Sequence, residues 1–420
     1  MAELIYNNKG RLLFTEEMKK EYTILLPQML PIHFKFLEKT FRNHGYKAEV
    51  LTTTHRGIVD EGLKNVHNDT CYPALLVIGQ MIDALKSGKY DINKTALMIT
   101  QTGGGCRASN YINLLRKALK NNGMAHVPVV SFNLHNMEKN PGFKFTPKLI
   151  VELVASVCYG DVLMWIGNQV RPYEVKKGET DAVIDKWVDR LCDGKIGFSG
   201  FENTCRKIIK DFEKIEVKKV PKVKVGIVGE IYIKYAPLGN NCLEEFLQSE
   251  GAEVVVPGLL DFIIFMCDHH VVDTQIYHVR YKKGMGSWAL EQFLKSVQKK
   301  IIKVCKESSF RAPQAFDKTK ELSAPFVSPA NKMGEGWLLT AEMVELVHSG
   351  VENIVCAQPF GCLPNHIVGK GMIRKIRETF QNANIVAIDY DPGATRVNQE
   401  NRIKLMLSTA KEKLNEAKKA

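Results

Sequence analysis

The sequence predicts an α/β protein built from two doubly wound, Rossmann-like parallel-sheet domains that carry helical inserts. Three observations predict it. Short, continuously apolar runs rich in Val, Ile and Leu alternate with segments of helical period in both halves of the chain. The 420 residues suit two or three domains. The composition, 45% hydrophobic and 25% charged, is ordinary for a globular protein and excludes disordered and fibrous classes.

In the first half, residues 23–29 read as a strand, 31–43 as a helix ending at Gly45, and 47–51 as a second strand. A helix over 73–85, a buried strand over 95–100, a helix over 107–119 and a strand over 127–132 follow. From 147 to about 212 the pattern is mainly helical. The Lys/Val/Pro segment 215–225 has no clear period and marks the boundary. Residues 1–220 are thus expected to form a first α/β domain with a C-terminal helical part, and 221–420 a second with a helical insert. The second opens with a strand at 223–228, a helix at 242–248 and a strand at 253–256, then the insert at 259–304. A loop rich in Pro, Ser and Ala (308–331), a helix (340–348), a strand (353–358), a helix (364–380), a strand (384–389) and a terminal helix from 397 complete it.

The net charge of +12 is modest for this length and is carried by loose lysine clusters rather than basic stripes interleaved with aromatics. A nucleic-acid partner is therefore not expected, whereas a phosphate-bearing or otherwise anionic partner is compatible. The apolar stretch 254–267 already contains Asp261 and is too short for a membrane span. The N-terminus has no apolar signal core. The expectation is a cytoplasmic protein without a membrane partner.

Ten cysteines are present and no two have C-x-x-C spacing, which argues against zinc ribbons, thioredoxin motifs and ferredoxin runs. Disulfides are not expected in a reducing compartment. A metal site would have to be assembled from distant parts of the chain. Cys71, Cys106 and Cys362 stand apart because each lies at a predicted helix start, two of them directly after strands. Helix N-termini stabilise thiolates and anionic clusters, and open α/β sheets bind ligands beyond the carboxyl ends of their strands. Gly104 and Gly105 would let the backbone approach such a group. Arg107 and Ser109 follow Cys106 and could bond a cluster sulfide or a phosphate, helix capping being the equal alternative. Cys356 is either a fourth ligand or, the better reading, core. Cys267-Asp268-His269-His270 resembles a metal cluster on paper, but adjacent side chains diverge on a helix. Asp389 and Asp391 could move protons, although Asp391-Pro392-Gly393 reads better as a turn.

The segments Thr70-Cys71-Tyr72-Pro73 through Gln80, Gln101-Thr102-Gly103-Gly104-Gly105-Cys106-Arg107 through Tyr111, and Gln358-Pro359-Phe360-Gly361-Cys362-Leu363-Pro364 through His366 resemble the acyl-CoA dehydratase activase-related proteins. So does Ile388-Asp389-Tyr390-Asp391-Pro392-Gly393-Ala394 with the helix after it. More distantly the chain is similar to 2-hydroxyacyl-CoA dehydratase subunits and double-cubane-cluster reductases. The resemblance implies a 2-hydroxyacyl-CoA dehydratase-like fold and an iron–sulfur cluster at Cys71, Cys106 and Cys362. A 4Fe-4S cluster is favoured, with a larger double-cubane type as the variant and water, substrate or Cys356 at the fourth position. It also implies an ATP-hydrolysing activase as partner, a CoA-linked small-molecule substrate and an oxygen-sensitive protein, with a homodimer as one possible assembly. The chain itself has no glycine-rich ATPase loop; Val228-Gly229-Glu230 is too short for one. The reading is low-potential electron transfer or reductive chemistry. Its competitors are a cluster-free scaffold of the same fold and a thiol enzyme acting through Cys106.

Overall fold

The computed structural model describes residues 2–417 except 68, 103, 134–136, 195 and 219. Asn68 and Gly103, which adjoin two of the cysteine motifs, lie outside the described residues. Two separate four-stranded sheets form, each parallel throughout. The first contains β1 (Thr23–Pro27), β2 (Lys47–Leu51), β3 (Thr95–Thr100) and β4 (Val129–Phe132) in the order β2-β1-β3-β4. The second contains β5 (Lys224–Gly229), β6 (Glu253–Val255), β7 (Asn353–Pro359) and β8 (Asn384–Tyr390) in the order β6-β5-β7-β8. The matching orders place a strand-order reversal at β1/β3 in one sheet and at β5/β7 in the other, where ligands of open α/β sheets bind.

The helices used below are α1 (Pro31–Asn43), α2 (Gly57–Asn65), α3 (Tyr72–Lys86), α4 (Tyr111–Asn121), α5 (Pro147–Val170), α6 (Glu179–Asp193), α7 (Phe201–Phe212), α8 (Ile231–Tyr235), α9 (Leu259–Tyr277), α10 (Tyr281–Lys306), α11 (Leu338–His348), α12 (Ile373–Thr379) and α13 (Arg396–Ala417). Side chains alternate across each strand, so each sheet feeds two apolar layers. Leu25, Leu97 and Ile99 of the first sheet and Val225, Ile227, Val355 and Ile388 of the second belong to one continuous core. That core is filled mainly by α3, which is buried nearly all round. The opposite faces pack separately, Ile24, Ala96 and Met98 with Phe41 and Phe143, and Val228, Ile354 and Cys356 with α11. The helical parts of the two halves join in a further core, where α5, α6 and α7 meet α9 and α10 around Phe265 and Trp337.

Several elements differ from the sequence reading. The helix expected over 364–380 is a π-helical turn (Asn365–Gly369), a 3-10 turn (Lys370–Met372) and then α12. Residues Arg107–Asn110 form a 3-10 turn ahead of α4. The helices Glu16–Glu21, α2, and Phe316–Ser323 inside the Pro/Ser/Ala loop are additions. Among the described residues, the helix long and apolar enough to cross a membrane is α5 rather than the stretch 254–267, and 67% of its most apolar window is buried inside the protein. Burial of that kind suits the central helix of a globular core.

Helix α3 is anchored through glycine. A methyl group on Gly79 would strike the carbonyl oxygen of Ile58 in α2, and one on Gly62 would strike that of Leu75. The two backbones therefore touch, and this contact sets the position of Cys71 at the head of α3. Gly79→Ala is expected to cost about 1–3 kcal/mol of stability, as overpacking a tight contact does. Chemical denaturation measures that loss, and alkylation of Cys71 in the native protein should speed up with it.

Candidate functional site

The carboxyl ends of β3, β5 and β7 and the start of α3 deliver their loops to one mouth between the sheets. Cys71 caps α3, Cys106 caps the 3-10 turn after β3, and Cys362 follows the end of β7. The loops are laced by their backbones. The Tyr72 N–H donates to the Phe360 carbonyl at 3.0 Å. The Arg107 guanidinium donates to the Asp69 carbonyl at 2.7 Å and to the Gly361 carbonyl at 3.4 Å. Gly361 has φ +73°, and a Cβ there would lie 3.1 Å from Cys71 Cα. Left-handed geometry and lack of room together require glycine at this turn.

All three cysteines are free thiols; Cys71 and Cys362 are buried and Cys106 is half-buried. Burial pushes the Cys71 thiol up, a hydrogen bond with the Tyr111 hydroxyl at 2.7 Å opposing it. Burial, followed by the nearby Glu335, Glu230 and Cys71, pushes Cys106 up to about 11. Burial with Glu335, Glu230 and Cys106 raises Cys362 still further. The three thiols and the two carboxyls thus feel one another's charge. Among the described residues, no three His, Cys, Asp or Glu side chains stand close enough to form a ready ligand set. Cys71 turns its sulfur to Tyr111 instead.

Two buried glutamates join the site that the sequence reading did not single out. Glu230 follows β5 and its carboxylate accepts the Ile233 N–H at 2.9 Å, capping α8. Glu335 accepts the N–H of Ile231 at 2.9 Å. Burial, then the charge of Glu335, raises Glu230 to about 8; burial also raises Glu335. The signal for Glu230 was present, since a strand running into Gly229 and then an acid repeats the strand–glycine–cysteine pattern. Glu335 lies in a compact segment, 328–337, that bridges three parts of the fold. Lys332 pairs with Asp273 of α9, Met333 lies against Gly105, and Gly334 approaches Pro364. Met333, Phe360 and Leu363 expose apolar surface around the mouth.

The remaining candidates resolve by position. Ser109 serves its own loop, donating to the Gly104 carbonyl at 2.7 Å, while Gly104 and Gly105 are both exposed and a side chain at Gly105 would meet Met333. Cys356 points into the layer under α11 and its thiol reaches Asn365 Oδ1 at 3.7 Å. Asp389 pairs with Lys370, and Asp391 accepts the N–H groups of Gly393 and Ala394, the turn that was the favoured reading. In the 267–270 run, Asp268 binds Lys320 and His269 packs edge-on to Phe265. Cys242, expected in a helix, stands before one with φ +59°. Gly229 packs against Ala357 of β7, so this turn is built for strand packing rather than for a phosphate.

The chain matches no family model and no curated protein.

Two predictions follow from the charges. At neutral pH Cys106 is a thiol, so its alkylation rate should rise about tenfold per pH unit from pH 8 and level off only near its raised value, as mass spectrometry of labelled peptides would read. The folded protein keeps the Glu230 proton to about pH 8, while the unfolded chain releases it near 4.5. Folding therefore binds a proton across that window, and stability falls as pH rises through it. Glu230→Gln keeps an oxygen for the Ile233 N–H and removes the titration. Its stability should decline less steeply, by up to about 1.4 kcal/mol per pH unit, in denaturant titrations between pH 5 and pH 8.

Proposed function

We propose that this chain is an iron–sulfur protein for low-potential electron transfer or reductive chemistry, served by an ATP-hydrolysing activase and allied to the acyl-CoA dehydratase activase-related proteins. The observation that supports the reading is that the loops carrying Cys71, Cys106 and Cys362, from both sheets, are tied to one another at one mouth. The donor chemistry fits a cluster. Burial makes the three thiols on these adjoining loops poor thiolates, and coordination to a metal would remove that penalty by supplying positive charge. Glycines at 105 and 361 leave little bulk beside two of the sulfurs.

When bound, a 4Fe-4S cluster supplies one-electron transfer at a site with a position free for water or substrate. The chain's own residues do the rest. Cys71, Cys106 and Cys362 would hold it, and the Tyr111 hydroxyl, hydrogen-bonded with the Cys71 sulfur at 2.7 Å, would moderate the charge there. Arg107 keeps the Cys71 and Cys362 loops together and adds a positive charge. Burial raises both Glu230 and Glu335, the charge of Glu335 adding to the shift of Glu230, so this pair favours keeping a proton. Met333 lies beside Gly105 at the mouth. A cluster-free cysteine nucleophile is disfavoured because Cys106 is raised to about 11. The apolar rim of Met333, Phe360 and Leu363 suits a docking protein more than bulk solvent.

Anaerobic purification should yield a brown protein with broad visible absorption, stoichiometric iron and sulfide, and an EPR signal on reduction. Mixing with a reduced activase and ATP should bleach it, and Cys106→Ser should abolish that bleaching. A protein that stays colourless after anaerobic reconstitution, or that hydrolyses ATP alone, would falsify the reading.

A further inference from the structure

Strand β8 is an outer edge of the second sheet, with β7 on one side and no strand on the other. The Asn384 N–H donates to the Glu352 carbonyl and the Tyr390 carbonyl accepts from Phe360, so the even-numbered residues of β8 face β7. The backbone groups of Ile385, Ala387 and Asp389 therefore face outward. A bare edge of this kind invites another strand. Here its carbonyls are already taken. Arg377 donates to the Ile385 carbonyl, Arg402 to that of Ala387 at 2.7 Å, and Gln399 to that of Asp389 at 2.9 Å. The N–H groups of Ile385 and Ala387 have no partner among the described residues. The edge keeps its donors and offers no acceptors, so an added strand would find its own N–H groups unanswered.

Those donors open into a groove of about 520 Å³ between α12 and α13, a size within the range of about 300–1,000 Å³ that small-molecule sites occupy. Its floor is apolar, made by Ile373, Val386 and Ala387, and its rim carries Lys370, Arg374, Arg377 and Arg402. Two carboxylates answer those cations. Asp389 pairs with Lys370 at 3.2 Å and lies 3.8 Å from Arg402, and Glu378 pairs with Arg374 at 2.8 Å. Arg377 has no carboxylate partner among the described residues. Positive charge is left over at a place whose backbone presents only donors.

We propose that this groove binds a small organic phosphate of nucleotide size. Its phosphate meets the guanidinium groups of Arg374, Arg377 and Arg402, and its apolar or aromatic body lies on the floor between the two helices. Phosphate oxygens are acceptors only, which complements an edge that has donors only. Guanidinium groups match such oxygens in pairs and hold them more strongly than neutral donors do. The body accounts for the floor, because an inorganic ion leaves Ile373 and Val386 uncovered. The groove shares no residue with the cysteine mouth, so the proposal stands apart from the iron–sulfur reading, and loss of a cluster leaves this binding unchanged.

Isothermal titration of the full chain at low salt tests it, with AMP, inorganic phosphate and adenosine as probes. AMP should bind most tightly, inorganic phosphate more weakly and adenosine not detectably, and added salt should weaken AMP. Arg374→Glu should weaken AMP by about tenfold or more with thermal unfolding unchanged, since this exposed side chain has its only ion pair among the described residues with Glu378. Glu378→Gln removes the competing carboxylate and should tighten AMP several-fold, a gain that misfolding does not produce. No AMP binding at millimolar concentration, inorganic phosphate binding as tightly as AMP, or Arg374→Glu and Glu378→Gln variants that bind like the wild type would each overturn the proposal.

Discussion

The hydrogen bond from the Tyr72 amide to the Phe360 carbonyl joins two chain segments almost three hundred residues apart, one step from Cys71 and two from Cys362. By itself such a bond contributes only about 1 kcal/mol. Its consequence is geometric. It registers the head of α3 against the end of β7, and Arg107 repeats the tie from the Cys106 turn to the carbonyls of Asp69 and Gly361. The three cysteine loops therefore share one framework. Helix α3 extends that framework inward, because its apolar surface fills the layer that both sheets face.

Burial then governs the chemistry at the mouth. Thiols and carboxyls withdrawn from water are driven toward their neutral forms, and each raises its neighbours further. Beneath them Lys234 donates to Glu342 at 2.8 Å, both side chains buried. Removing either partner would strand a buried charge. The 328–337 segment ties this region to the helical insert through Lys332 and Asp273. A change in the insert is thus coupled by contact to Met333 and Glu335 at the mouth.

Strands and long helices were legible because their apolar periods are local properties. The bounds of α1, β2 and β3 agree with the sequence reading to the residue. Short helices were harder. Glu16–Glu21 and α2 carry little apolar pattern, and their helical state follows from capping by Thr15 in one case and from glycine-mediated contact with α3 in the other. The break at Asn365–Gly369 was invisible because its sequence is compatible with helix. There Asn365 donates its side-chain amide to the Ala357 carbonyl, and a Cβ on Gly369 would meet Asn365 Oδ1. That anchoring to β7 displaces regular helix geometry.

The sequence by itself determined two parallel α/β sheets and singled out Cys71, Cys106 and Cys362, because hydrophobic period and helix-start chemistry are written in neighbouring residues. Only the tertiary structure decided that these loops adjoin, that Glu230 and Glu335 join them, and that Arg377 and Arg402 meet the outer edge of β8. Those properties depend on which surfaces remain after distant segments pack, and no local pattern records the outcome of that packing.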